Sequence, residues 1–396
     1  MFGLSRVERR ADQWEATIRG LTERRLAPSY AGVSANYEEM ISIPAVWKAL
    51  LLTAGVVSVM PVNAYRDLDD ERSELPTLPR LLREPSANVS FPDWVFQIVE
   101  SMIMHGDAVG VIVSRDNRLT PTQIEIVDPK IVSVKLNRST GTYDWFVDRK
   151  PVPDYDIWHL PGRPKLGTPF GVGLIEKMAQ TAGIAIAARK YEAQWYGDGA
   201  HPTSIIRPEI DPGPVGAQAL KDKILSIVRG NREPLILPPK TEFDTLQADP
   251  VTSALLDALR HNSTDIAHFV GIPPELVGGS TGDSMTYSNT EGRVIDLLTF
   301  GVQFWMSKLE YKLSKTIAPR PVYVKFDEEY IKRTDVRTKV ETLIAQVAGG
   351  LLTQNEARNV LNRQSLPGGD VLFPPKGQQQ AQQPPSPQPQ LQEQPV

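Results

Sequence analysis

The chain has 396 residues, no cysteine, 34 prolines and a formal net charge of −4. At about 150 residues per domain this length suggests two or three domains, and zero cysteine excludes a disulfide scaffold, cysteine zinc sites, iron–sulfur clusters and thiol chemistry together. The acidity argues against a protein that grips nucleic acid over most of its surface, because tight phosphate binding needs clustered Lys and Arg. No run of about 18 apolar residues is present, so no transmembrane helix is expected. The start Met1-Phe2-Gly3-Leu4-Ser5-Arg6 lacks the apolar stretch of a signal peptide.

In chain order, residues 1–36 read as an N-terminal arm. Six Arg between Arg6 and Arg25 mix with Glu and Asp around Trp14, Ile18 and Leu21, a modest amphipathic helix ending before Pro28. From Pro44 a long apolar helix runs to Met60, and Pro61 to Arg66 alternates as a strand. Asp67 to Glu74 reads as a charged turn. Pro92 to Met104 is a predicted helix, capped at Ser90 or Pro92 and stopped at Gly106. Strands follow at 108–114, 123–127, 132–136, 143–147 and 156–160. Tight turns such as Ser139-Thr140-Gly141 join them, which makes this region α+β with an antiparallel sheet.

Gly173 to about Tyr196 favours helix, and its apolar residues, Ile175, Met178, Ile186, Tyr191 and Trp195 among them, fall nearly all round the wheel. A helix apolar on most faces must be covered on most faces. Two readings stand: a helix packed against copies of itself in an oligomer, or the central core helix of a monomer. A small module follows, with strands at 203–207 and 234–238 around a helix at 215–229, then Phe243-Asp244-Thr245-Leu246. A second long helix covers about 251–270, apolar along Leu255, Leu259, Ile266 and Val270. An α/β insertion between two long helices suggests a knob on a helical stalk. Ser288 and Glu291 then form a capping box for a helix with Ile295, Leu298, Val302, Trp305, Leu309 and Leu313 on one stripe, and Gly301 marks a kink or close contact. A strand at 322–326 and a helical pair close the folded part, the second helix opening at the capping box Thr353–Glu356 after the Gly349-Gly350 stop. Residues 377–396 are nearly all Gln and Pro, too poor in apolar surface to offset their ordering entropy, and are expected to be disordered.

The motifs with chemical meaning are weak. Gly278-Gly279-Ser280-Thr281-Gly282 fits G-x-S-x-G, which makes a hydrolase with Ser280 as nucleophile an alternative, but that elbow needs a strand directly before the Ser. Asp257, His261, Asp265 and His268 share a helical face. His261 and His268 lie about 10.5 Å apart along the axis, too far for bonds near 2.0 Å to one metal. His105, His159 and His201 are isolated beside Gly or Pro, with no carboxylate pattern around them. Gly167 to Gly173 looks like a phosphate cradle, but Pro169 removes an amide it would need. The residues point to no enzyme, no cofactor and no metal.

Several short stretches acquire meaning together. They are Ala45-Val46-Trp47, Pro61 to Arg66, Leu81-Leu82-Arg83-Glu84-Pro85-Ser86, Met104-His105-Gly106-Asp107-Ala108, Gly167 to Leu174 and Tyr196 to Pro202. Most specific are Ile266 to Gly278, Tyr287-Ser288-Asn289-Thr290-Glu291 and Gly350 to Arg358. Over roughly 40–375 the chain resembles the compact portal proteins of tailed bacteriophages. It departs from them where Asp107-Ala108-Val109 replaces the more usual Asn-Ala-Tyr, and where Gly292 stands in place of a common Gln.

The resemblance implies an α+β portal fold assembled as a ring, usually of twelve subunits. It assigns 37–171 to a wing, 172–201 to a stem helix, 202–247 to a clip and 248–276 to a second stem helix. It assigns 277–287 to a tunnel loop, 288–334 to a tunnel helix with a wing return strand, and 335–376 to a crown. It implies inter-subunit stem contacts at Ile175, Met178, Ile186, Tyr191 and Trp195, and a partner-binding clip surface at Lys221, Lys223, Arg229, Asn231 and Arg232. Ser280, Thr281, Asp283, Ser284, Met285 and Thr286 would face DNA in the tunnel loop. The implied partners are the ring itself, the major capsid protein, the terminase large subunit, a head–tail adaptor, a scaffold, and double-stranded DNA passing through, with no membrane. The implied place is the capsid portal vertex, assembled in a bacterial cytoplasm. Another oligomeric head–tail connector is the alternative within the same class.

Overall fold

The computed structural model describes residues 29, 32, 36–68, 71–137, 140–197, 204–208, 213–216, 218–219, 222, 241–245, 250–279, 289–317, 322–331, 336–361 and 363–372. The first 28 residues, most of the 209–240 module, the 280–288 loop and the segment from 373 onward lie outside them, so expectations about those stretches are not addressed by the fold. By its contacts the chain divides into Met1–Glu328 and Glu329–Val396.

In the first unit, helix α1 (Tyr37–Ile41) opens on a reciprocal cap. The Asn36 side chain accepts from the Glu39 amide at 2.8 Å, and the Glu39 carboxylate accepts from the Asn36 amide at 3.1 Å. The expected long apolar helix is α2 (Pro44–Leu50), a π-helical stretch (Leu51–Gly55) and α3 (Val56–Val59). Thr53 lies in the wide turn and donates its hydroxyl to the Ala49 carbonyl at 2.8 Å, a back-bond that loosens the regular ladder.

Strand β1 (Val62–Leu68) pairs with β2 (Glu71–Glu74), so the expected charged turn is corrected to a polar edge strand. Charges suit such an edge because they discourage further strand addition. Short helix α4 (Arg80–Arg83) leads to α5 (Phe91–Met104), whose N-cap Ser90 accepts from the Asp93 amide as predicted. The buried face of α5 includes Trp94, Val95, Ile98, Val99 and Met102. The Trp94 indole donates to the Ile124 carbonyl at 2.8 Å and sits 5.8 Å from the Trp158 ring.

The next strands are β3 (Asp107–Arg115), β4 (Pro121–Val127), β5 (Val132–Leu136), β6 (Tyr143–Val147), β7 (Lys150–Val152) and β8 (Ile157–Pro161). The one antiparallel sheet expected here is instead two three-stranded sheets, ordered β4-β3-β8 and β5-β6-β7. The break falls at the 3₁₀ turn Pro129–Ile131, which Asp128 caps, so β5 cannot continue the ladder of β4. Val109, Val132, Val134, Trp145 and Phe170 form a core cluster between them. A two-residue ribbon, β9 (Arg163–Pro164) with β10 (Gly171–Val172), carries the chain into α6 (Leu174–Lys177) and α7 (Ala179–Gly197). The glycine-rich stretch here works by close approach: a Cβ on Gly171 would lie 1.8 Å from the Gly106 carbonyl oxygen.

Strands β11 (Ser204–Pro208) and β12 (Thr241–Thr245) pair antiparallel, and α8 (Pro250–Val270) follows. Helix α9 (Asn289–Asp296), a second π stretch (Leu297–Val302) and α10 (Gln303–Ile317) run on as one long helical element. Gly301 is a close contact as expected, with a Cβ there 2.9 Å from the Ile272 side chain. The π stretch also corrects the expected stripe. Its wider turn shifts the helical phase, so Ile295 before it is exposed while Leu298, Val302, Leu309 and Leu313 are buried. Strand β13 (Val322–Phe326) returns to pair with β1, completing a sheet ordered β13-β1-β2.

The second unit is a helical pair, α11 (Val336–Ala348) and α12 (Gln354–Val360). Gly350 adopts a positive φ of 72° after α11, and Thr353 with Glu356 makes the predicted capping box. Buried Asn355 ties the following loop down through the Leu366 amide and carbonyl and the Asp370 carboxylate, at 2.8 to 2.9 Å.

Candidate partner and channel surfaces

Chemistry can be looked for where polar groups gather. Asp107 is buried, and its Oδ1 lies 2.8 Å from His159 Nε2 and accepts from the Gly171 amide at 2.9 Å. His159 is therefore not isolated, which corrects the expectation. The carboxylate lies one strand across on β3, in a register that sequence spacing does not reveal. The pair stands beside Trp145 and Phe170, with ring separations of 5.1 and 5.5 Å, and it locks β3, β8 and β10 together.

A second cluster joins α1 to α5. The Tyr37 hydroxyl donates to Glu100 at 2.8 Å, its ring stacks on His105 at 5.5 Å, and Lys130 lies 5.1 Å over it and 2.8 Å from Glu38. Burial, then the bond to Glu100, raises the Tyr37 phenol, and burial raises the Glu100 carboxyl. Among the described residues no group of His, Asp and Glu is placed to hold a metal. His261 and His268 are both exposed. The 3₁₀ turn Pro274–Val277, not a strand, precedes Gly278, so the hydrolase elbow fails at its first requirement.

The long helices carry the better-defined surfaces. Asn262 on α8 donates to the Thr181 carbonyl on α7 at 2.9 Å, and Ala182, Ala185, Ile266 and Ala267 are buried. Ile175, Met178 and Ile186 are buried within the subunit itself. Tyr191, with Ile184, remains exposed. The Trp195 side chain lies outside the described residues, as do Lys221, Lys223, Arg229, Asn231 and Arg232. Ser280, Thr281, Asp283, Ser284, Met285 and Thr286 lie outside them too.

Helix α10 is latched to β13. Buried Glu310 accepts from the Phe326 amide at 2.9 Å and pairs with Lys325 at 2.6 Å, and Ser314 accepts from the Val324 amide at 2.9 Å. Two α10 lysines turn toward strand β8: Lys308 donates to the Pro161 carbonyl at 2.8 Å, and Lys312 lies 5.5 Å over Trp158. Burial pushes both ammonium groups down. Nearby Asp107 opposes the shift at Lys308, and Lys315 adds to it at Lys312. Phe269, Phe300 and Phe304 are large and exposed, and the sequence reading passed them over. Its wheel held a usable signal, since Phe300 and Phe304 are four apart, off the stripe assigned to the core.

This mixed architecture, with long helices around a small β11–β12 ribbon, is that of portal and neck proteins. An HK97-family portal protein from Corynebacterium diphtheriae superposes with a TM-score of 0.59, at 16% identity over 76% of this chain and 98% of its own. The neck of a native gene transfer agent particle computed with C12 symmetry gives 0.53, at 16% identity over 83% and 94%. The chain belongs to the phage portal protein family, whose description matches residues 44–362. Relatives include the portal protein of Enterobacteria phage HK97, 24% identical over 88% of this chain and 85% of its own. The probable portal protein of Streptomyces phage phiC31 is 22% identical over 87% and 79%.

Proposed function

We propose that this phage portal protein assembles as a ring around a DNA passage at one vertex of the capsid. The observation that carries the reading is the pair α7 and α8 bracketing the β11–β12 ribbon, inside the span matched by the family. In this reading 37–171 with β13 is the wing, α7 and α8 are the stem, 202–247 is the clip, α9 to α10 is the tunnel helix, and 335–376 is the crown. A neck with C12 symmetry in a structural neighbour supports twelve subunits.

The ring would nucleate capsid assembly with the major capsid protein and a scaffold. It would dock the terminase large subunit through the clip, with Lys221, Lys223, Arg229, Asn231 and Arg232 as the surface to test first, and later bind a head–tail adaptor. ATP hydrolysis would belong to the terminase. Ser280 to Thr286 would face the moving duplex.

Charge supports passage rather than grip. Twelve copies at −4 each carry about −48 formally, and duplex binding needs many Lys and Arg phosphate contacts. Lys308 and Lys312 are engaged with the subunit's own wing strands rather than free for phosphates. Negative-stain microscopy and native mass of the full chain test the reading. Rings with a central hole are expected, and a monodisperse monomer at high concentration would overturn it.

A further inference from the structure

The long helical element from α9 to α10 has two apolar sides. The inner side, Val302, Met306, Leu309 and Leu313, is buried in the subunit. The outer side carries Phe300, Phe304 and Tyr311, which fall on one stripe of a 3.6-residue helix and are 71%, 43% and 63% exposed. Phe269 on α8, 40% exposed, joins Phe300 and Phe304 in lining an open cavity of about 650 Å³, together with Arg163, Lys177 and His268.

At about 200 Å² for a full aromatic side chain, these exposures leave on the order of 400 Å² of apolar surface. That is about half of the roughly 800 Å² that each partner buries in a specific protein interface. A patch of this size marks a contact rather than the ordinary scatter of surface hydrophobics. From Phe300 to Tyr311 the stripe runs about 16 Å along the axis, a length that suits an element of protein better than a small ligand. Lys308 lies 5.6 Å over the Phe304 ring and Lys315 4.5 Å over the Tyr311 ring, so the stripe is apolar with cations along it, which suits a protein face with acidic groups at its edge.

We propose that this stripe and cavity are the socket through which one subunit receives the next copy of the same chain. The inference rests on the ring reading. A ring closed by rotation uses a heterologous contact, so each subunit must present two different patches. The socket needs no twin on its own surface, and the cations at the cavity match it to an apolar neighbour face with an acidic border.

The test compares full-length protein with the double variant Phe300→Glu/Phe304→Glu by native mass, microscopy and thermal melting. Rings are expected from the unaltered chain, and at least a tenfold loss of ring yield from the variant, at an unchanged melting temperature. Should the double variant fold poorly, p-benzoylphenylalanine at position 300 decides instead, with irradiation expected to give a ladder of covalent oligomers. Rings at full yield from the folded variant would overturn the socket and leave the ring reading intact. A cross-link confined to one chain would assign the face to the chain's own first 28 residues, and would also overturn it. Absence of rings from both proteins would overturn the socket and the ring reading together.

Discussion

Helices α7 and α10 invert each other. By sequence α7 is apolar all round and α10 is cleanly amphipathic, yet α7 hides Ala182, Ala185 and Ile186 within its own subunit while α10 leaves Tyr311 and Phe304 exposed. Helical periodicity reports which residues seek cover. It does not report whether the same chain or another supplies it, because the free energy of removing apolar area from water is blind to the origin of the covering surface.

That contrast can be broken most directly at Met178, which is fully buried beside α7. Met178→Ala should cost about 2–5 kcal/mol in denaturant unfolding, whereas Ile184→Ala on α7, 53% exposed, should stay within about 0.5 kcal/mol. Equal effects from the two would remove the distinction between inner and outer apolar residues. A smaller loss is expected at the α10 latch. Glu310→Ala strands the buried Phe326 amide and should cost about 1–3 kcal/mol, read as a lower melting temperature with the far-ultraviolet spectrum retained.

In the second unit, Thr353→Ala removes one half of a reciprocal cap and should cost about 1 kcal/mol. Hydrogen exchange should show faster amides in 354–360 with the first unit unaffected. The least effect is a dependence on pH. Burial raises the Glu100 carboxyl, so the stability tied to its protonated form is present below the ordinary carboxylate range and is lost as pH rises through the raised value. Glu100→Gln keeps an acceptor for Tyr37 and should flatten the fall in melting temperature as pH rises above the ordinary carboxylate range. An unchanged slope would show that the Tyr37–Glu100 contact does not govern it.

Much of the secondary structure was legible because it is encoded locally. The caps at Ser90 and Thr353, the strands 132–136 and 143–147, and the close approach at Gly301 each follow from a few neighbouring residues. Pairings across long separations were not legible. The Asp107–His159 contact, the division into separate sheets and the polar strand β2 depend on partners that spacing does not name. The two π stretches escaped for a related reason: one extra residue per turn leaves no compositional mark, yet it moves Ile295 off the buried stripe. The surfaces remained least legible, since the exposure of Phe300 becomes visible only once the rest of the chain has been packed around it.

The register that joins Val62 to Phe326 also bears on biosynthesis. Strand β1 leaves the ribosome early, and its β13 edge stays unpaired until nearly the whole first unit has been made. Closing so long a loop carries an entropic penalty that local hairpins such as β5–β6 escape. The β4-β3-β8 and β5-β6-β7 sheets should therefore acquire structure during translation, while the β13-β1-β2 sheet zips last, after release of Phe326. Until then the nascent chain holds an open strand edge, and ribosome stalling or truncation before Val322 would strand it in an aggregation-prone form.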